Sequence, residues 1–251
     1  MMRFTTLGVG DAFSALYYSS CLLVESGGTR LLIDCPHPIR KMLAEAGAAT
    51  GQDLDLDGVD AVVLTHLHAD HASGLEGYGY FSHFVLKKRA KLLVHPAVAA
   101  RLWDGHLAAG MECLMSAHDH QVNARGLADY FELVPLSEER TVTIGAFEVA
   151  CRRTVHHVPT TALTLSAGGR SLGYSADTCF DPELIAWLSK ADLMVHETNY
   201  GVHTPYESLA ALPAEVRARM RLIHYPDQFD HTGTHIESLR QGRSYAVGEG
   251  A

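Results

Sequence analysis

Thr65-His66-Leu67-His68-Ala69-Asp70-His71 places three imidazoles and a carboxylate within six residues. The stretch follows Ala61-Val62-Val63-Leu64, a short apolar run that reads as a buried strand. The histidines therefore stand where a strand gives way to a loop. In extended or tightly turned backbone, positions i and i+2 project the same way. That points His66 and His68 together and leaves Asp70 and His71 on the turn, able to reach a second position close by. Neutral imidazole and carboxylate suit zinc, iron or manganese. The competing reading is an accidental cluster in a histidine-rich chain. With 16 histidines in 251 residues, H-x-H-x-D-H arises by chance on the order of once in a few hundred such chains, so the accidental reading is weak.

Outward from this stretch, Arg3–Leu7, Cys21–Glu25 and Thr29–Asp34 are rich in strand formers, and Gly27-Gly28 joins the last two as a hairpin. Ile39, Met42, Leu43 and Ala46 share one face of a predicted helix, with Gly47 as its stop. Lys91–His95 reads as a strand, and Pro96 opens a helix through about Trp103. Gly105 to Ala128 has no clean period and reads as helical or irregular. Strands resume at Tyr130–Leu136, Thr141–Ile144 and Phe147–Val155. Thr161–Ser166 and Arg170–Ser175 flank Gly168-Gly169, a hairpin signal. Asp181 caps a helix over Pro182–Ser189. Leu193–His196 and Leu222–Tyr225 read as short strands, with a helix from about Pro213 to Met220 between them. Strands in both halves with helices interposed suit two packed sheets covered by helices.

The bulk properties narrow the function. A chain of 251 residues, 47% hydrophobic and 20% charged, can bury a sizeable core, and no linker or repeat divides it, so one domain is expected. The net charge of −9 argues against long nucleic acid as a partner, which asks for a basic face. Lys87, Lys88, Arg89 and Lys91 form the one basic cluster and read as a solvated helix end. A small anionic substrate stays open, because bound metal ions can dominate local charge. Five cysteines without a C-x-x-C spacing fit a reducing compartment. Without an apolar leader or membrane-length run, a soluble cytoplasmic protein is expected.

Four further stretches join the first in a recognisable order. Val155-His156-His157-Val158-Pro159 puts a histidine at a strand end. Ser175-Ala176-Asp177-Thr178 and Leu222-Ile223-His224 do the same for an aspartate and another histidine, and Leu7-Gly8-Val9-Gly10-Asp11 opens the chain. Together with H-x-H-x-D-H, this series resembles the metallo-β-lactamase superfamily over nearly the whole chain. The resemblance implies an α/β fold, a four-layer αβ/βα sandwich. It implies a hydrolase with two divalent metal ions, zinc first and manganese or iron as alternatives. One ion would take His66, His68 and His156, the other Asp70, His71 and His224, and Asp177 would bridge them with a water or hydroxide. His157 would then be a supporting residue. Two departures stand out. Pro36 follows Asp34-Cys35 where the family often has glycine. Ala176 replaces the glycine of S-G-D-T, which should exclude a backbone that needs positive φ.

Within the superfamily, Asp177 points away from true β-lactamases, which usually lack the bridging aspartate. Three segments resemble the ribonuclease Z and cyclic-nucleotide phosphodiesterase branch: the Leu7–Phe13 opening, His156-His157-Val158-Pro159, and Asp192-Leu193-Met194-Val195-His196-Glu197-Thr198, similar to D-L-L-x-H-E-A-T. The last implies that His196 helps protonate the leaving group, with Glu197 orienting it; the alternative is that both support the ligands from behind. Asp70, His196 and Glu197 are the catalytic candidates. The interval from Pro159 to Ala176 is too short for a tRNA-binding arm. His83 to Glu139 is a variable stretch that could form a lid or a homodimer contact, and His118 and His120 within it read as surface residues. The expected reaction is hydrolysis of a small phosphodiester, with a lactone or thioester as the alternative substrate.

Overall fold

The computed structural model describes residues 1–248. Two seven-stranded sheets form its centre. In spatial order the first runs Ser244–Ala246, Arg3–Gly8, Cys21–Ser26, Thr29–Ile33, Ala61–Leu64, Ala90–Val94 and Phe131–Pro135. The second runs Glu237–Ser238, Met220–Ile223, Leu193–Glu197, Arg170–Tyr174, Thr161–Ala167, Phe147–Arg153 and Val142–Ile144. Each sheet is antiparallel through its hairpins and parallel through its crossover strands.

The side-chain period of a strand explains the layering. In Cys21–Ser26, Leu22 and Val24 enter the core between the sheets, where they meet Val149, Leu163 and Leu165 of the second sheet. Leu23, between them in sequence, faces the other way and packs under Met42 and Leu43 of the helix Ile39–Thr50. The second sheet does the same with Met194 and Leu222, which pack under Leu184 and Leu188 of the helix Pro182–Leu188. Fully burying one such side chain stabilises the fold by about 1.5–3 kcal/mol. The result is the four-layer α/β sandwich.

The boundaries differ from the sequence reading at named places. Gly47 does not stop its helix, which continues to Thr50 and ends at Gly51 with φ of 67°. Gly47 lies on the buried face, where a Cβ would come within 2.7 Å of the Gln52 carbonyl, so glycine is there for close approach. The stretch read as helical or irregular contains helical turns and a hairpin of Cys113–Met115 with Val122–Ala124. The helices Leu75–Phe84 and Tyr206–Ala210 were not anticipated. Asp181 caps its helix as expected, accepting from Glu183 N and Leu184 N. Among the described residues no helix is long and apolar enough to cross a membrane.

Candidate metal centre

Four strand ends point to one edge of the sandwich. His66 follows Ala61–Leu64, His156 follows Phe147–Arg153, Asp177 follows Arg170–Tyr174, and His224 follows Met220–Ile223. His68 caps the short helix Ala69–Ala72, which carries Asp70 and His71. The structure brings all seven side chains together in two clusters.

In the first cluster His66 Nε2 lies 3.1 Å from His68 Nδ1, and His156 Nε2 lies 3.4 Å from the same atom. Burial, the largest influence on each, pushes all three imidazoles below their ordinary pKa, His156 to about 4. Neutral rings with converging nitrogens are what a cation takes. Ligands ~2.0–2.1 Å from a tetrahedral zinc stand roughly 3.4 Å from one another, close to the spacing here. In the second cluster Asp70 Oδ2 lies 3.4 Å from His71 Nε2 and 3.2 Å from His224 Nε2. The Asp177 carboxylate divides between them: Oδ2 is 3.6 Å from His66 Nε2, and Oδ1 is 3.3 Å from His71 Nε2 and 3.7 Å from His224 Nε2.

The second cluster carries charge. Burial, the largest single influence, would keep His71 and His224 neutral, but the carboxylates together outweigh it: Asp177 and Asp34 for His71, and Asp177, Asp70 and Glu197 for His224. His71 is held well above its ordinary value and His224 rises to about 10. Asp177 and Asp70 resist burial through the same histidines and stay well below the carboxylate range. His71 Nε2 nevertheless has no hydrogen-bond partner. Leaving such a buried atom unmatched costs about 1–3 kcal/mol. A bound cation would supply the partner, so donor set and geometry fit two divalent ions.

Supporting groups fix the ligands. Asp34 Oδ2 accepts from His71 Nδ1 at 2.8 Å, which leaves Nε2 as the nitrogen facing the cluster. Asp34 Oδ1 accepts from Thr65 N and Oγ1. His157 lies outside the cluster, 3.0 Å from His68 Nε2. Asp34, Ala176 and His224 all adopt positive φ, at 61°, 50° and 58°. Ala176 therefore does take the left-handed backbone that its side chain was expected to exclude. A methyl group is the smallest side chain that can do so, and the surrounding strand ends hold it there at a cost of about 1–2 kcal/mol.

The structure does not place His196 in the site. His196 and Glu197 are consecutive in one strand, so they face opposite sides of the sheet. His196 pairs in register with Leu222, which belongs to the outer layer. It is fully buried there, with Nδ1 against the Glu197 carbonyl oxygen and Nε2 unpartnered. Glu197 faces the metal clusters. Its Oε1 accepts from Thr178 N, and its Oε2 lies 2.8 Å from His203 Nδ1 and 3.5 Å from His224 Nδ1. His203, which the sequence reading missed, lines the cleft 4.0 Å from Asp177 Oδ2. Burial, the largest single influence, opposes its charge, but the hydrogen bond and charge of Glu197 together with the charge of Asp177 outweigh it and lift its pKa. The cleft has a volume of about 880 Å³. His118 and His120 are exposed at the hairpin turn and do not line it.

Solved structures share this fold. The metallo-β-lactamase fold protein YhfI from Bacillus subtilis superposes with a TM-score of 0.75 at 19% identity, over 97% of this chain and 98% of its own. A diphosphatase of the PhnP family gives 0.74 at 14% identity, over 98% of both chains. Among curated proteins, the anti-Pycsar protein Apyc1 of Saccharibacillus brassicae is 31% identical, over 98% of this chain and the whole of that protein. The anti-Pycsar protein Apyc1 of Bacillus phage 010DV004 is 33% identical, over 98% of both. The family model described as anti-Pycsar protein Apyc1 matches residues 2–245, and the chain belongs to that family.

Proposed function

We propose that the chain is a dinuclear metal-dependent hydrolase of a small phosphodiester. The observation that carries this reading is the division of the Asp177 carboxylate between two ligand clusters. His66, His68 and His156 would hold one ion, Asp70, His71 and His224 the other, and Asp177 would touch both. Two divalent ions in such a site supply a water of lowered pKa as nucleophile and polarise phosphoryl oxygens. Zinc is the first expectation for both.

The remaining chemistry belongs to the chain's own groups. Asp34 orients His71, and Glu197 does the same for His203. Because Nδ1 of His203 faces Glu197, its Nε2 is the nitrogen available to the cleft. Glu197 and Asp177 lift its pKa and so favour the protonated imidazole. An alkoxide leaving a phosphodiester needs a proton in the transition state, and a positioned imidazolium can give it. A thiolate leaves without one, so the Glu197–His203 pair favours the phosphodiester over a thioester. The donor role passes from His196 to His203, with Glu197 retained as the orienting group. The relatives are named for acting against Pycsar, and we carry that role to this chain.

Metal analysis of the purified protein should find two divalent ions per chain. Assays with bis(p-nitrophenyl) phosphate, a lactone and a thioester should give the highest kcat/KM on the diester. Faster turnover of the lactone or the thioester than of any phosphodiester would overturn the reading in favour of carboxyl chemistry.

A further inference from the structure

Beside the two ligand clusters stands a third set of donors. Asp177, Glu197, His203 and His224 each place one ligating atom within 4.8 Å of the others. His224 turns Nε2 to Asp70 and Nδ1 toward Glu197 Oε2, 3.5 Å away. That Nδ1 is buried and has no hydrogen-bond partner, so the contact is not a formed bond. Glu197 is buried as well, and Thr178 N donates to its Oε1. Among the described residues, Oε2 is left with one hydrogen bond, from His203 Nδ1 at 2.8 Å. A carboxylate oxygen can accept two, so a buried anionic oxygen here has capacity to spare.

His203 makes this oxygen reachable. It is partly exposed and lines the cleft. Its loop is anchored at both ends, where Thr198 Oγ1 donates to the Thr204 carbonyl oxygen and Thr204 Oγ1 to that of Thr178. Its Nδ1 stands 2.8 Å from Glu197 Oε2 and 4.0 Å from Asp177 Oδ2. Ligands of a tetrahedral zinc stand roughly 3.4 Å apart. Moving the ring by about 0.6 Å, away from Glu197 and toward Asp177, would bring both distances to that spacing. Two carboxylates and an imidazole are donors that zinc and manganese accept.

We propose that Glu197 Oε2, His203 Nδ1 and Asp177 Oδ2 form a third, weaker site for a divalent cation, filled when metal is in excess, and that filling it disables the proton donor. The inference rests on His203 being the donor in phosphodiester hydrolysis. The weakness follows from sharing, because Asp177 Oδ2 also faces His66 Nε2 at 3.6 Å and so serves the first ion. His224 adds no donor, since its Nδ1 keeps a proton once Nε2 is ligated. The step is an exchange: the cation bonds to His203 Nδ1, and the proton on that nitrogen leaves to solvent. What remains is a neutral ligand whose Nε2–H is a far weaker acid than an imidazolium.

The test counts ions first. Protein carrying two zinc ions is dialysed against rising zinc. The wild type should take up a third equivalent that Glu197→Gln and His203→Phe do not, while both variants keep the first two. A wild type that stops at two overturns the site. So does a third equivalent retained by both variants, which would put it elsewhere on the surface. Should Glu197→Gln loosen the first two ions, His203→Phe alone decides, since His203 belongs to neither cluster. Filling the third site should then lower kcat for trimethylene phosphate, whose leaving group is an alkoxide, by about 10²-fold or more. Turnover of bis(p-nitrophenyl) phosphate should scarcely change. Equal losses on both diesters overturn the link to the proton donor. If the two-zinc protein turns over neither diester, the phosphodiester reading falls on its own, and the ion count still decides the site.

Discussion

The Glu197 carboxylate holds the His203 imidazole at 2.8 Å across six residues of chain, beside the carboxylate of Asp177. On the proposed reaction, this contact would orient the proton donor. His203→Ala should lower kcat/KM for a diester with an alkoxide leaving group by about 10²–10⁴-fold. The loss should be far smaller when p-nitrophenolate departs, because that anion needs no proton. His196→Ala should leave the contrast between the two leaving groups as it is. Equal losses on both in His203→Ala would remove the residue from the acid role.

The ion pair of Asp34 with His71 predicts a second effect. Asp34→Asn keeps an acceptor for Thr65 but loses the charge that faces His71 Nδ1. Groups that orient metal-binding histidines contribute about 10–100-fold to metal affinity. Chelator competition should show a loss of that size for Asp34→Asn. Wild-type affinity in the variant would mean that the packing around His71, and not Asp34, sets the ring.

Metal uptake should release protons. In the cation-free protein, Asp177 and its neighbours overcome burial and hold His71 and His224 protonated, the latter up to about 10. Both nitrogens must be free to bind an ion, so loading at neutral pH should expel about two protons per chain. Affinity should therefore rise with pH. Calorimetric titration in buffers of different ionisation enthalpy measures the number, and zero release would contradict the charge pattern. The sign for stability is the reverse. His224 is raised, so its pairing stabilises the cation-free fold fully below its unfolded pKa, and this contribution fades as pH climbs through about 10.

Ala176 supplies a test of backbone strain. Glycine at this position would relieve the left-handed cost of about 1–2 kcal/mol. It would also lose a buried methyl group worth ~0.8 kcal/mol and add unfolded-state freedom worth about 0.5–1 kcal/mol. These offset, so Ala176→Gly should change unfolding free energy by less than about 1 kcal/mol. Ala176→Val puts a branched side chain at positive φ in a filled core and should cost more than about 2 kcal/mol. Urea unfolding measures both, and a well-tolerated valine would show that the left-handed backbone is not enforced.

Much of this was legible because the ligands sit where strands end. His66, Asp177 and His224 each close an apolar run, and the alternation of Leu22, Leu23 and Val24 between two layers follows from period two alone. Other parts were hidden for physical reasons. The helix Leu75–Phe84 buries Leu75, Tyr78, Gly79 and Ser82, the right spacing for a helical face, but glycine and serine do not read as apolar. Gly79 is needed because a Cβ there would come within 2.9 Å of the Phe131 ring. The hairpin at Cys113–Met115 has mostly exposed residues and so no alternating pattern. His203 lies on a loop with no periodic signal. The usable clue was in the strand before it: neighbouring strand residues face opposite ways, so Glu197 toward the metals requires His196 to point elsewhere.

Each cluster borrows from both sheets. His66 and His68 come from the first and His156 from the second; Asp70 and His71 come from the first and His224 from the second. The two halves of the sandwich therefore meet along a seam stapled at one edge. Sliding one sheet past the other would pull both staples apart at once. Without ions, that edge is held by hydrogen bonds and ion pairs such as Asp70 with His224, and the seam should breathe more. With ions, opening it means breaking coordination on both sides together. Amide exchange at Thr65, Thr161 and Ser175, which flank the seam, should slow on loading far more than exchange in the outer helices.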